Sequence, residues 1–423
     1  MINANELGFL PQNNGYDNAK ALQKALDMGG EITVNEKGTY DISETLIIGG
    51  NTTLIFEEGI KIRRRNSVTG RNGMLINNKG IPSCTYDENI KIVGLHIDCN
   101  GVESADYGVD SSVMFGLRAQ VGFVYVKNLV IEDFECIGAL FKDYSVQICA
   151  FENIRLEKLH IVGDRDGVHL ALGKGFVIRN GSFCTYDDPI ALNGYDYPAS
   201  NTFPGWIEDG LIEDCVDLPA ENTLGFFCRM LGGAWCDWQN GMKIRNGDAV
   251  CHNGRVYRPH LRGDESTHIS VTPPTHEKGV QVLDGIPWVC ARDEAVYDAG
   301  CRNITIRNIR LQKKRENAIG LQLNDDMYAR SYYPGCKVVP QSNITIENIH
   351  IENEVKNLLF VTYPTEKLTL RNIDLKDSKL YSEAYNLEGI VYPELDIECE
   401  NVKCDADCIH SVGDYRIKAS KKQ

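Results

Sequence analysis

Two stretches of the chain, NITIRNIRL at residues 303–311 and NITIENIHI at residues 343–351, contain the pattern that decides the fold. Each holds two copies of a unit in which asparagine precedes alternating apolar and polar residues. Alternation with a period of two is typical of a β-strand. Asparagine suits the turn before the strand, because its amide bonds to nearby backbone and it tolerates left-handed dihedral angles. The unit therefore predicts short strands separated by asparagine turns.

The same unit recurs along most of the chain at a nearly constant spacing. Asn128 and Asn153 are 25 residues apart, and Asn343 is 24 residues from a lysine variant of the unit at Lys367. A period of this length with two or three strands indicates a solenoid, whose stacked coils bury side chains that one coil could not bury alone. Leucine-rich repeats follow a longer fixed signature with helices, which is missing. We expect an all-β chain folded as a right-handed parallel β-helix.

The N-terminal segment has a different periodicity. Apolar residues recur at helical spacing between Asp17 and Met28, Asp17 suits the N-cap, and Gly29 and Gly30 supply the stop. We expect a short capping α-helix. Residues 1–60 are then the cap and first strands, and residues 61–423 are the β-helix of the same domain.

The repeat blurs around residues 195–302, which hold all four tryptophans of the chain. Long insertions in solenoids emerge on one face, often the binding face. Indole rings also stack on the apolar faces of sugars. The stretch predicts a loop-rich insertion that forms a sugar platform, with plain surface loops as the alternative.

The composition limits the partners and the compartment. A net charge of −15 argues against nucleic acid, and no apolar run is long enough to span a membrane. The first residues lack the features of a secretory signal, so we expect a cytoplasmic protein. Most of the 15 cysteines are then buried thiols. Cys404 and Cys408 are the nearest pair for zinc but lack a second pair, so no metal or cofactor is expected, and the oligomeric state stays open.

Two turns rich in carboxylates carry the chemistry: GDRDGVHL at residues 163–170 and TYDDPIALN at residues 185–193. Asp166 precedes Asp187 by 21 residues and Asp188 by 22, about one coil. Stacked coils would bring the three side chains onto one surface. Close carboxyls split their pKa values, so that one can act as an acid and another as a base. Paired carboxyls are the minimal apparatus of glycoside hydrolysis, although each aspartate alone could be a turn residue.

These turns and the coils resemble the polygalacturonases, family 28 of the glycoside hydrolases, within the pectin-lyase-like β-helices. That family carries Asn-Thr-Asp-Gly and, one coil later, Gly-Asp-Asp. Here Asp164-Arg-Asp-Gly and Tyr186-Asp-Asp stand in those places. The resemblance implies that Asp187 is the general acid and that Asp166 and Asp188 hold and deprotonate water in an inverting hydrolysis of a galacturonide. Asp164 and His169 would line the substrate, with a structural role for His169 as the alternative.

Two family motifs are altered. Where the family has Gly-His-Gly, the nearest sequence is Glu208-Asp-Gly, without histidine. His260 and His268 are candidates to replace it. The family's Arg-Ile-Lys, which grips the uronate carboxylate, is matched in reversed order by Lys243-Ile-Arg245. We expect Lys243 and Arg245 to bind the substrate, or else to be solvated strand residues.

The leading hypothesis is a hydrolase that trims terminal residues from imported oligosaccharides. A polysaccharide lyase or epimerase on the same fold is one alternative. It would remove a proton beside a uronate with Arg, Lys or His, often with Ca²⁺. A glycan-binding or phage-tail-type β-helix without catalysis is another.

Overall fold

The computed structural model describes residues 1–65, 75–100, 116–140, 143–261, 263–264, 266–324, 330–385, 387–404 and 407–421. In these residues the regular structure is one α-helix, Gly15–Met28, two 3₁₀ turns, Ala4–Leu7 and Ile81–Ser83, and β-strands. None of the described helices is long and apolar enough to cross a membrane.

Twenty-six of the described strands form one continuous ladder that is parallel except for one short pair. Its strands are Ile2–Asn3, Gly30–Val34, Gly38–Ile42, Leu46–Ile48, Thr52–Phe56, Ile60–Arg64, Ile76–Asn78, Asp87–Val93, His96–Asp98, Ala119–Ala139, Tyr144–Gly163, Val168–Arg179, Ser182–Thr185, Ile190–Asn193, Trp206–Asp217, Cys228–Leu231, Gly233–Ala234, Asp298–Leu311, Arg315–Gln322, Gln341–Ile351, Val355–Val361, Thr365–Asp374, Lys379–Glu383, Leu395–Lys403, Ile409–Val412 and Ile417–Lys421. Strand Val168–Arg179 shows the principle: it pairs with Tyr144–Gly163 on one side and with Ile190–Asn193 and Trp206–Asp217 on the other. The predicted right-handed parallel β-helix is confirmed.

The core is a set of columns in which like residues stack on like from coil to coil. One column is fully buried and runs through Ile92, Ile131, Leu156, Ile178, Ile212, Ile306, Ile346 and Leu370. Each such side chain contributes about 1.5–3 kcal/mol when removed from water. The columns are therefore what holds the coils in register.

The asparagines of the repeat take the predicted left-handed conformation, with φ of 59° at Asn303 and 62° at Asn343. Lys367 adopts the same geometry, with φ of 54°. The amides also bond from coil to coil: Asn343 Nδ2 donates to Asn303 Oδ1 at 2.9 Å, and Asn303 donates in turn to Asp209. The sequence signal thus corresponds to a column of turn residues on the outside of the helix.

The capping helix begins three residues earlier than predicted, because its N-cap is Asn14 and not Asp17. The Asn14 side chain accepts from the backbone N–H groups of Tyr16 and Asp17. Gly29 follows the last helical residue, Met28, with φ of 67°. Leu22 and Leu26 lie in the main core, so the helix covers the apolar end of the first coils.

The stretch 195–302 contains strands of the β-helix and two small sheets outside it. Trp206–Asp217 and Cys228–Leu231 are strands of the β-helix, whereas two small sheets lie outside it. The larger consists of Cys236–Asp237, Val250–His252, Arg255–Pro259, Ile286–Arg292 and Val280–Leu283, and the smaller of Met242–Ile244 and His268–Ser270.

The four tryptophans do not form the expected shared platform. Trp235 and Trp288 are buried in two different apolar clusters of the insertion. Trp206 and Trp238 are partly buried, and their indole N–H groups donate to Asp298 and Ser270. Trp235, Trp238 and Trp288 therefore pack the insertion, whereas Trp206 lies on a strand of the β-helix. Cys404 and Cys408 are joined as a disulfide.

Candidate active site

The two carboxylate turns stack directly on each other at the entry of adjacent strands. Val168 pairs with Ile190, so Asp166 and Asp188, each two residues earlier, occupy equivalent places in successive coils. Backbone bonds hold the turns together, including Gly167 N–H to Asp188 O at 2.9 Å. One carboxylate oxygen each from Asp166, Asp187 and Asp188 lies within 4.8 Å of the other two. The coil spacing therefore brings the three aspartates into one cluster.

The three carboxyls differ sharply in exposure. Asp166 is 2% exposed and Asp188 is 1% exposed, whereas 31% of the Asp187 side chain is accessible. Arg165 Nη1 donates to Asp187 Oδ2 at 2.9 Å. Asp187 alone of the three can reach a large ligand, while the other two can meet only a small molecule such as water.

Asp166 is held by a histidine on the strand that follows it, Val168–Arg179. Its Oδ2 lies 2.8 Å from Nδ1 of His169, which is fully buried. The imidazole stacks on the ring of Tyr144 at 4.4 Å between centroids. Tyr144 in turn bonds through its hydroxyl to Arg118 and Ser200. Burial lowers the pKa of His169 to about 3, so the ring is neutral and positions Asp166 rather than contacting a ligand.

Asp188 is bound from the next coil. The backbone N–H of Phe226 donates to Asp188 Oδ1 at 2.6 Å. Arg229 Nε lies 2.9 Å from Asp188 Oδ2, an ion-pair contact without the alignment of a hydrogen bond. Arg229 also lies 3.5 Å from Asp196. Burial opposes its charge, but Asp188 and Asp196 outweigh burial and raise the pKa of Arg229.

The electrostatics leave protons in the cluster at neutral pH. Burial, with a smaller contribution from Asp187, raises the pKa of Asp166 to about 7. Burial also raises the pKa of Asp188 to about 8, although Arg229 opposes that shift. The cluster can therefore contain both protonated and ionised carboxyls near pH 7, which acid and base catalysis require.

Lys313 binds the backbone of the two loops that carry Asp187 and Phe226. Its ammonium donates to the carbonyls of Thr185 and Leu224 at 2.9 and 3.0 Å, and to that of Tyr186 at 3.3 Å. Burial, followed by the nearby charge of Arg315, lowers the pKa of Lys313 to about 8. The lysine ties the turn before Asp187 to the loop before Phe226.

The other predicted residues lie in different surroundings. Asp164 is exposed, and its backbone N–H bonds to Ala139. Lys243 is exposed on the small two-stranded sheet, and the Arg245 backbone N–H donates to Asp248. Lys243 and the sheet that carries it are therefore separate from the β-helix coils that carry the three aspartates.

The sequence Glu208-Asp-Gly, the nearest match to the Gly-His-Gly of the polygalacturonases, does not stand in register with the aspartate turns. Glu208 pairs with Lys174 on another face of the coil and forms an ion pair with Arg302. In register with the Asp188 turn stand Gly225 and Phe226, followed by Arg229 on the strand. His268 bonds to Asp264 within the insertion. Arg229 is thus the cation beside the aspartates, and nothing in the sequence indicated it. Its run FFCRML, residues 226–231, carries no motif, so only the strand register identifies its position.

The three carboxylates also have the spacing of a cation site. Hard cations such as Ca²⁺ take six to eight oxygen ligands. Arg229 already neutralises one of the three carboxylates, and two of them have raised pKa values. These features favour proton chemistry over a metal at this position.

No protein-family model and no curated protein sequence matches the chain. Solved structures do. A polygalacturonase from Erwinia carotovora is 13% identical, with 94% of this chain and 93% of that chain covered and a TM-score of 0.52. The chain has the fold of the polygalacturonases. A family 28 exopolygalacturonase from Yersinia enterocolitica matches the polygalacturonase fold similarly, at 13% identity, 100% and 77% coverage and a TM-score of 0.51.

Proposed function

We propose that this chain is a glycoside hydrolase that cleaves a pectin-type oligosaccharide by proton transfer at Asp166, Asp187 and Asp188, with inversion at the anomeric carbon. One observation carries the proposal: three carboxylates from two successive coils have oxygens within 4.8 Å of one another but very different exposure. Clustered carboxyls in unequal environments are the arrangement that separates an acid from a base.

Exposure assigns the roles. Asp187 is the accessible carboxyl, so as the general acid it passes a proton to the glycosidic oxygen. That proton comes from Asp166 or Asp188, whose raised pKa values keep a proton in the cluster near pH 7. Asp166 and Asp188 are too buried to touch a sugar ring, so they hold the attacking water and the ionised one removes its proton. His169 fixes the orientation of Asp166, and Arg229 fixes that of Asp188.

The spacing accommodates the water. Two O–H···O bonds of about 2.7 Å can span up to roughly 5.4 Å through one bridging water, and the carboxylate oxygens lie within 4.8 Å. A water held between two aspartates attacks without a covalent intermediate. This step inverts the configuration, although carboxyls about 5 Å apart are otherwise typical of retaining enzymes.

Hydrolysis fits the residues better than elimination. A lyase or epimerase needs an accessible base beside the uronate. His169 is fully buried and Lys313 is bonded to three carbonyls. Arg165 and Arg229 are paired with Asp187 and Asp188, so none of these four groups is presented to a substrate as a base. The pectin-type substrate is proposed from the family resemblance, and no cofactor is part of the mechanism.

Product analysis tests the proposal. Wild type and Asp187→Asn are incubated with acidic, esterified and neutral oligosaccharides while reducing ends and unsaturated-product absorbance are followed together. We expect new reducing ends without unsaturation, lost in the variant. Unsaturated product would identify a lyase, and no cleavage of any substrate would favour a binding protein.

A further inference from the structure

The outer face of the sheet next to the aspartates continues towards the C-terminus as one column of side chains. Strand register places in that column Gln147, His169, Ala191, Arg229, Gly320, Phe360, Tyr381 and His410. A ligand that extends from the aspartates along the helix axis in this direction passes Arg229 and then meets Gly320 and Phe360. The chemistry of these positions therefore decides which sugar can lie there.

Aromatic carbon covers the first of these positions. A Cβ atom at Gly320 would come within 2.7 Å of the Phe226 ring, so that ring lies directly over the glycine. Phe226 also packs against Phe360, with ring centroids 6.1 Å apart. Both rings are partly exposed. Because the backbone of Phe226 bonds to Asp188, this apolar surface is fixed to the acid cluster.

The aromatic surface extends further from the site. Tyr381 stacks on Phe360 at 5.0 Å, and His410 stacks on Tyr381 at 5.3 Å. Three successive coils thus place a ring at the same outward position. The next coil after Arg229 offers Gly320 and Gln322 outward, and neither is charged.

The cations beside the aspartates are already neutralised. Arg165 pairs with Asp187, and Arg229 pairs with Asp188 and Asp196. The ammonium of Lys313 is buried against three carbonyls. A free uronate at this position would have to compete with the protein's own carboxylates for Arg165 or Arg229.

We propose that Phe226 and Phe360 form a subsite for a neutral sugar ring, so that the cleaved bond lies beside a neutral or carboxyl-esterified unit rather than a free uronate. The inference rests on the proposed hydrolase function and narrows its substrate. Pyranose rings have apolar C–H faces that pack on aromatic carbon, whereas a carboxylate placed on it would lose hydration without a partner.

The test compares galacturonide oligosaccharides of one length with free and with methyl-esterified carboxyls, together with the neutral galactoside. We expect wild type to cleave an uncharged probe with a kcat/KM at least tenfold higher than the acidic one. Phe226→Ala should lower that kcat/KM about tenfold, mainly through KM. Phe360→Arg should shift the preference towards the acidic probe. Tyr16→Ala, which removes an exposed ring on the capping helix, is the control. It should change neither kcat/KM on the uncharged probe nor the preference between the probes.

The outcomes distinguish the neutral subsite from the hydrolase function on which it rests. Preferential cleavage of the acidic probe would overturn the neutral subsite and leave the hydrolase standing. If no probe is cleaved, the hydrolase proposal fails, and calorimetric binding of the same probes to Asp187→Asn decides the subsite. Tighter binding of an uncharged probe, weakened by Phe360→Arg, would support it, and equal or absent binding would refute it. Phe226→Leu replaces Phe226→Ala if the latter fails to fold.

Discussion

Nδ1 of His169 lies 2.8 Å from Oδ2 of Asp166, and both side chains are buried. The histidine cannot ionise in the neutral range, because burial lowers its pKa to about 3. It therefore acts as a fixed hydrogen-bonding group that orients the carboxyl which holds the water. This relationship makes His169 a positioning residue.

His169→Phe should keep the stack on Tyr144 but lose the bond to Asp166. A lost hydrogen bond of about 1–3 kcal/mol corresponds to a fall in kcat of roughly 5- to 150-fold, with KM within about twofold. His169→Asn should recover part of the rate. Steady-state kinetics across pH checks both. A limb of the pH–rate profile near pH 6.5 that disappears in His169→Phe would show instead that the imidazole itself titrates.

Asp166→Asn should make the protein more stable at pH 8. The folded-state pKa of Asp166 is about 7, above its ordinary 3.8, so ionisation costs stability as pH rises from about 4 to 7. The variant lacks that cost, and its free energy of unfolding should exceed that of wild type by about 1–4 kcal/mol at pH 8 and by little at pH 4.

Asp264→Asn is the control of opposite sign for this measurement. Hydrogen bonds from Ser266, and then from His268, lower the pKa of Asp264 to about 2, so its ionised form stabilises the fold above that pH. Denaturant unfolding should show this variant less stable at pH 8. An Asp166→Asn protein that is equally destabilised at both pH values would contradict the account of the buried carboxyl.

Arg229→Met should destabilise the protein because Asp188 and Asp196 would lose their cation. Breaking a buried ion pair on one side costs about 3–5 kcal/mol. The loss should be smaller at pH 6, where Asp188 holds a proton because its pKa is about 8, than at pH 9, where Asp188 is ionised. The double variant Arg229→Met/Asp188→Asn should regain part of the stability without activity. Wild-type stability in Arg229→Met would mean that the pair contributes little.

The product should carry the inverted anomeric configuration. A water held between Asp166 and Asp188 attacks from the face opposite the leaving oxygen, and no sugar becomes attached to the protein. Proton NMR during the first minutes of cleavage distinguishes the anomers before they equilibrate. Retention would mean that an aspartate attacks directly, as the short spacing of the carboxyls otherwise favours.

The sequence was sufficient for the fold because the repeat is local: alternation after Asn303 and Asn343 determines both the strands and their turns. It was also sufficient to bring Asp166 and Asp188 together, since one coil separates them. The sequence did not predict that Arg229 and Lys313 belong to the site. These two residues reach it from coils whose spacing is interrupted by loops and by the insertion. Lys243 and Arg245 were chosen because Lys243-Ile-Arg245 matches the family's Arg-Ile-Lys in reversed order, and only three-dimensional pairing shows that they lie on a separate sheet.

The most direct test of the central claim compares Asp187→Asn with wild type on two substrates that share a glycone but differ in leaving group. A sugar leaving group needs a proton from the general acid, whereas a nitrophenolate does not. Because general acid catalysis is worth about 10²–10⁴-fold, we expect kcat/KM to fall by that factor on the oligosaccharide and by less than about tenfold on the nitrophenyl glycoside. Equal losses on both substrates, or no loss on the oligosaccharide, would contradict the assignment of Asp187 as the acid.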